Sequence, residues 1–407
     1  MKAFLLLLLI GLFQLFPAAA QADIPDYVLA YRLAVASYCA YAVNDLDDDH
    51  GKERARRCLT EAKKRDPERL QSLDVQGADI ETYFDPRHSE NAYLLARTKD
   101  GLILAFRGTL TPPIDPDGSL FHVARKTIEE HNLHVAGFQK FVEDWLRDID
   151  AVTSAGRHPG IQGAWEDILA HLDTKCGREA QPCFRDLLAH LDPEKGEKLF
   201  ITGHSKGGAL ATLAALDIAN KFGVVSPTVY TFAAAKALTE KQAAEEMVRA
   251  SNIWRFERAD DLVPALAPDS TAFYWPWHYA HVGSLALLGA GRSRLCPPSP
   301  NGIYTPNDRD RIASILLDAA TSAPINFLAS VAQIDPIGAL KKVVNGGEPA
   351  CRKFVDAHFA VFSDVRQLAR NGDTSGPGFF VDDLTDDNKD KILWGYGQWC
   401  NLVKFID

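Results

Sequence analysis

Read along its apolar and polar positions, the chain opens with one unbroken greasy run and then changes period several times. Residues 4–17 are largely apolar, between Lys2 and the small-residue stretch Ala18-Ala19-Ala20-Gln21-Ala22. Residues 27–43 carry apolar side chains at helical spacing and predict a helix. The charged stretch 45–57 is expected to be solvated. Residues 91–96 and 102–106 are strand-like runs joined by Lys99-Asp100-Gly101, a hairpin signal. Pro112, Pro113, Pro116 and Gly118 mark an irregular loop, and 139–192 is rich in helical patterning. Within it, the segment Asp167-Ile-Leu-Ala-His-Leu-Asp173 is echoed by Asp186-Leu-Leu-Ala-His-Leu-Asp192, which reads as a helical hairpin with His171 and His190 in surface or core positions. A short apolar strand at 198–202 precedes a small-residue helix at 205–220, and further strands are expected at 228–232 and 252–257.

Strands alternating with helices predict an α/β fold with a mostly parallel central sheet and helices on both faces. That rhythm stops after residue 285, where Pro-rich punctuation gives way to helical patches. The segment at about 285–350 is therefore expected to be a C-terminal helical insertion in a single domain spanning 23–407.

The opening run is too short to cross a bilayer comfortably, and a basic residue before it with a small-x-small exit after it makes a secretory signal peptide. Ala20-Gln21-Ala22 places the cut before Asp23, so residues 1–22 are expected to be removed and the protein secreted or periplasmic. No later stretch is long and apolar enough for a transmembrane span. An oxidising destination makes the seven cysteines a disulfide framework with one thiol left over. No pair has C-x-x-C spacing. Cys176 with Cys183 is the expected bridge, because the two lie in the short connection of the helical hairpin. The composition, 46% hydrophobic and 24% charged over 407 residues, suits a sizeable core. A net charge of −10 offers no basic stripe to nucleic acid. Asp45-x-Asp47-x-Asp49 has the opening of a calcium loop, but His50 and Arg56 occupy the positions that need Gly and a bidentate Glu. No metal or cofactor is expected.

The chemistry-bearing motif is Gly203-His204-Ser205-Lys206-Gly207, a G-x-S-x-G that follows a strand and precedes a helix. A strand turning sharply into a helix holds the central residue in a strained conformation, and glycines two positions either side keep the bend free of collisions. The turn lifts Ser205 Oγ above the sheet and aims the first N–H groups of the helix at a reacting carbonyl, where negative charge develops. A hydroxyl needs a base and the base an orienting carboxylate, in the chain order Ser, acid, His. Asp260 and Asp261 end a strand in Arg258-Ala-Asp260-Asp261-Leu-Val-Pro264, and His278, His281 and His358 lie beyond.

Phe106-Arg107-Gly108-Thr109, Gly203-His-Ser-Lys-Gly-Gly-Ala-Leu-Ala211, Asp261-Leu-Val-Pro264 and Asp356-Ala-His358 occur in that order. Together they resemble the class 3 (fungal-type) lipase family of the α/β-hydrolase superfamily. The resemblance covers roughly residues 27–283 and 351–362. It implies a triad of Ser205, Asp261 and His358, with Asp260 and His281 as rivals, and an oxyanion hole from the backbone N–H groups of Thr109 and Lys206. Arg107 is expected to be structural. The implied activity is that of a secreted serine carboxylester hydrolase of triacylglycerol lipase type, its substrate a lipid or ester met at a lipid–water interface. A phospholipase or short-chain esterase with the same triad is the first alternative, since the cation of Lys206 beside the acyl pocket would favour an anionic head group. An inactive hydrolase-fold binding protein is the second, because Ala233-Ala234-Ala235 stands where the family has Gly-Ala-Pro. The family's lid position corresponds to 110–134, and the apolar patch 325–331 is another candidate cover.

Overall fold

In a computed structural model of the chain, the described residues are 25–43, 48–75, 80–84, 91–108, 156–174, 184–223, 227–246, 249–258, 260–265, 278–289, 292–296 and 347–370. The expected signal peptide, both lid candidates, Thr109 and the Cys176–Cys183 pairing lie outside them.

Among the described residues the strands are β1 (Ile80–Phe84), β2 (Ala92–Thr98), β3 (Gly101–Phe106), β4 (Lys198–His204), β5 (Thr228–Phe232), β6 (Leu238–Thr239), β7 (Ile253–Arg258), β8 (Tyr279–Ala280), β9 (Ser284–Gly289) and β10 (Arg292–Cys296). Eight form one sheet in the order β1-β2-β3-β4-β5-β7-β9-β10, while β6 and β8 pair separately. Neighbours from β3 to β9 run parallel, and β1, β2 and β10 add antiparallel edges. With its flanking helices this is the α/β-hydrolase arrangement expected from the sequence. The β2–β3 hairpin turns at Lys99-Asp100, with Thr98 opposite Gly101. In β4 every residue after Lys198 is buried, which explains its continuous apolar run: a parallel strand covered on both faces has no solvent side to alternate with.

Two helical groups flank the sheet. Helix α1 (Tyr27–Cys39) packs against β4 and against the distant helix α8 (Gly347–Ala369); α6 (Lys206–Phe222) packs on β4, β5 and α4 (Pro159–Thr174). Asp26 caps α1, its Oδ1 accepting the N–H groups of Val28 at 2.9 Å and Leu29 at 3.0 Å. The remaining helices are α2 (Asp48–Arg65), α3 (Pro67–Leu70), α5 (Phe184–Ala189) and α7 (Glu240–Glu246). No helix among the described residues is long and apolar enough to cross a membrane.

Three differences from the sequence reading have physical causes. The stretch read as solvated is largely helix α2, because Ala55, Cys58, Leu59 and Ala62 recur at helical spacing and are buried beneath the charges. Cys58 bonds to Cys39, the last residue of α1, and so staples the two helices at a sequence separation of 19. Finally, the opening of the segment read as an insertion belongs to the main sheet: Leu285, Ala286, Leu287 and Leu288 are buried in β9, parallel to β7. Their uninterrupted apolar run is again that of a doubly covered strand.

Closing this loop restricts the unfolded chain, so replacing Cys39 and Cys58 together by Ser is expected to lower unfolding free energy by about 3 kcal/mol. Urea unfolding followed by circular dichroism measures it; an unchanged midpoint would show that packing alone holds α2 on α1.

Candidate active site

Ser205 stands between β4 and α6 with φ 59° and ψ −128°. A side chain in such a region costs about 1–3 kcal/mol and persists only where the surroundings hold it. Here the Ser205 N–H donates to the Phe232 carbonyl at 3.0 Å, and its own carbonyl accepts the N–H of Gly208 at 3.0 Å. The flanking glycines are needed for two different reasons. A Cβ on Gly203 would sit 2.1 Å from the carbonyl oxygen of Gly207, and one on Gly207 would sit 2.3 Å from the carbonyl oxygen of Phe106 in β3. The first is a collision within the bend, and the second is one with the neighbouring strand. Lys206 is the first residue of α6, so its N–H heads the helix at the end where partial positive charge accumulates.

Asp261 follows β7 at the carboxyl end of the sheet. Its Oδ1 accepts the Val263 N–H at 3.0 Å, and its Oδ2 lies 2.9 Å from His358 Nδ1. The aspartate side chain is 0% exposed and the histidine side chain 5%. His358 stands on α8, far along the chain, yet it meets the residue preceding the serine: His204 Nε2 is 3.1 Å from the His358 carbonyl oxygen and the two rings are 4.3 Å apart.

The rival residues are engaged elsewhere. Both carboxylate oxygens of Asp260 accept from the Arg258 guanidinium, each at 2.8 Å, and Arg258 also reaches Asp364 on α8. These partners raise the pKa of Arg258 against the opposing effect of burial. His281 donates from Nε2 to the Pro264 carbonyl at 3.1 Å and faces Glu257 at 3.7 Å. Burial, with Arg255 and Lys236 nearby, holds its pKa well below the ordinary histidine value. His278 precedes β8, where its carbonyl accepts the Glu240 N–H at 2.9 Å.

The side chain of Lys206 corrects the reading of an available cation: it is buried, and its ammonium donates to Asn91 Oδ1 at 3.0 Å. Arg107, fully buried, donates to the Val43 carbonyl, a structural role. The unusual Ala233 turn forms despite its side chain, at φ 49°, with its N–H donating to Phe256 at 2.8 Å. His204 was not singled out from the sequence as a site residue, although its place inside G-x-S-x-G marked its neighbourhood.

The fold places Ser205 and the His358–Asp261 pair at the same end of the central sheet. Residues 136–271 match the family model described as Lipase (class 3), which bears out the resemblance read from the motifs. A curated relative, secreted mono- and diacylglycerol lipase 1 of Fusarium solani, is 30% identical over 142 residues, covering 31% of this chain and 36% of that protein. The chain thus matches little more than a third of the relative's length. Among solved structures, a lipase from Rhizopus microsporus var. chinensis is similar with 18% identity and a TM-score of 0.40, over 69% of this chain and 79% of its own. A mutant form of MDLA from Penicillium cyclopium is similar with 19% identity and a TM-score of 0.43, over 68% and 88% respectively.

Burial also holds His204 well below the ordinary histidine pKa. Both His204 and His281 therefore stay neutral in the folded protein at pH values where the unfolded chain, titrating near 6.5, takes up protons. The stability they confer is complete above about pH 6.5 and is lost as pH falls towards their folded pKa values. Glu257, whose pKa burial raises, has the opposite sign: its contribution is lost as pH rises through its folded value. The drop in urea-unfolding free energy from pH 7.5 to 5.5 is accordingly expected to be smaller in His281→Asn than in the parent, by about 1 kcal/mol. Equal drops would assign the acid sensitivity to other groups.

Proposed function

We propose that this protein is a secreted serine carboxylester hydrolase that cleaves lipid acyl esters through Ser205, His358 and Asp261. The observation that carries the reading is the 2.9 Å contact between His358 Nδ1 and Asp261 Oδ2, buried beside the bend that carries the serine. The carboxylate selects the tautomer with hydrogen on Nδ1, which leaves the Nε2 lone pair as the base.

In this mechanism Ser205 Oγ attacks the ester carbonyl carbon while its proton passes to His358 Nε2. The carbonyl oxygen becomes an oxyanion, held by the backbone N–H groups of Lys206 and Thr109. The imidazolium is stabilised by Asp261 and returns its proton to the leaving alcohol as the tetrahedral species collapses to an acyl-serine. Water, deprotonated by the same imidazole, then attacks the acyl carbon; the acid departs and Ser205 Oγ regains its proton. No step needs a metal or a cofactor. The matched relative's description as a mono- and diacylglycerol lipase favours acylglycerols as substrates. With Lys206 held by Asn91, the argument for an anionic head group loses its motive. Export through a signal peptide at residues 1–22 is supported by the Cys39–Cys58 bridge, which suits an oxidising compartment, and by the secreted relative.

Ser205→Ala and His358→Ala are each expected to lower kcat on a soluble ester by about 10⁴-fold or more, with the unfolding curve of Ser205→Ala near that of the parent. Ser205→Ala should also abolish labelling by a fluorophosphonate probe. Full activity in either variant would falsify the triad, and activity lost in His281→Ala but kept in His358→Ala would move the base to His281.

A further inference from the structure

Next to the triad lies a second polar chain that the mechanism above does not use. His204 is fully buried at the end of β4, immediately before the serine. Its Nε2 lies 3.1 Å from the His358 carbonyl oxygen and its Nδ1 lies 2.8 Å from Tyr41 Oη. A carbonyl oxygen only accepts, so Nε2 must carry the hydrogen; Nδ1 is then a lone pair and the tyrosine hydroxyl donates to it. The ring is fixed by neighbours on several sides: Phe359 and Phe362, each at 4.8 Å, and the His358 ring at 4.3 Å. Tyr41 Oη is wedged just as closely, since a Cβ on Gly108 would lie 2.0 Å from it. Gly108 directly precedes Thr109 in the sequence, so this chain of contacts runs from the segment just after β3 through the residue before Ser205 to the backbone of His358.

We propose that Tyr41 and His204 are positioning residues for the base: the Tyr41 hydroxyl orients the His204 ring, and that ring holds the main chain of His358 in register with Ser205. The proposal rests on the triad assigned above. Its physical content is twofold. The serine and the base come from elements far apart in sequence, and a displacement of about 1 Å between reacting groups costs on the order of 10²-fold in rate. A direct hydrogen bond from the residue adjoining the serine to the main chain of the base couples the two across that gap. The coupling group is also uncharged, because burial and the neighbouring His358 disfavour its protonation. A cation 4.3 Å from the base would oppose the imidazolium that forms there during turnover.

The test measures kcat and KM on a soluble ester for Tyr41→Phe, His204→Phe and His204→Gln, with active sites counted by fluorophosphonate titration so that rates refer to folded enzyme. Tyr41→Phe, which removes one hydroxyl and keeps the ring, is expected to lower kcat about tenfold with KM within about twofold. His204→Phe keeps a ring but no donor and should lose about 100-fold. His204→Gln, whose amide can still donate to the His358 carbonyl, should recover part of that loss. Parent-like kcat per active site in Tyr41→Phe and His204→Phe overturns the proposal, as does a His204→Gln no better than His204→Phe. Should the His204 variants fail to fold, Tyr41→Phe decides alone. His358→Ala separates the two readings. If it is inactive while Tyr41→Phe turns over normally, only the positioning role fails; if it is active, the triad itself is wrong.

Discussion

The bend at Ser205 is the constraint on which the rest of the structure depends. A serine at positive φ is unfavourable by itself, and it survives because two strands and a helix are packed too closely to let it relax. Phe232 of β5 takes its N–H, and β3 leaves no room for a side chain at Gly207. Ala233, the other described non-glycine residue at positive φ, lies directly after Phe232. Its main chain is fastened to β7 in turn. The strain at the serine is thus shared with the strand beside it, and the central sheet acts as the clamp.

The proposed mechanism also requires an acid–base pair brought to that bend from remote parts of the chain. Asp261 comes at the end of β7, where the sheet itself fixes its position. His358 is carried by a helix, which could slide. That helix is tied down by polar contacts along its second half. Arg258 at the end of β7 reaches Asp364, and Asp66 takes Arg370 while Arg69 donates to the Ala369 carbonyl at 3.1 Å. Such pairs are poor evidence of net stability, but breaking one leaves a desolvated charge behind. They therefore favour a single register of α8 over its neighbours.

Much of this was legible in the residues and some was not, for identifiable reasons. The strand–bend–helix and its glycines could be read because steric demands at that point allow few residue types. Asp261, the proposed acid, could be singled out from its place after a strand. The sheet beyond β7 was not, because a doubly buried strand such as β9 has no alternation and resembles any apolar run. Helix α2 was hidden by the charges that cover its narrow buried face. The Cys39–Cys58 bridge lay beyond reach because spacing along the chain does not say which helices will lie side by side. His204 looked like filler within the motif; its two hydrogen bonds arise only when Tyr41 and α8 converge on it.

Helix α8 packs against α1, so the first and last described helices of the chain are neighbours. The order of synthesis gives this a meaning. A nascent chain emerges with Ser205, Asp261 and the strands of the sheet before α8 exists. Until that helix docks, α1 lacks its packing partner and Asp261 lacks its contact with His358. On the triad proposed above, the order of the chain thus makes the docking of α8 the last step in assembling the site.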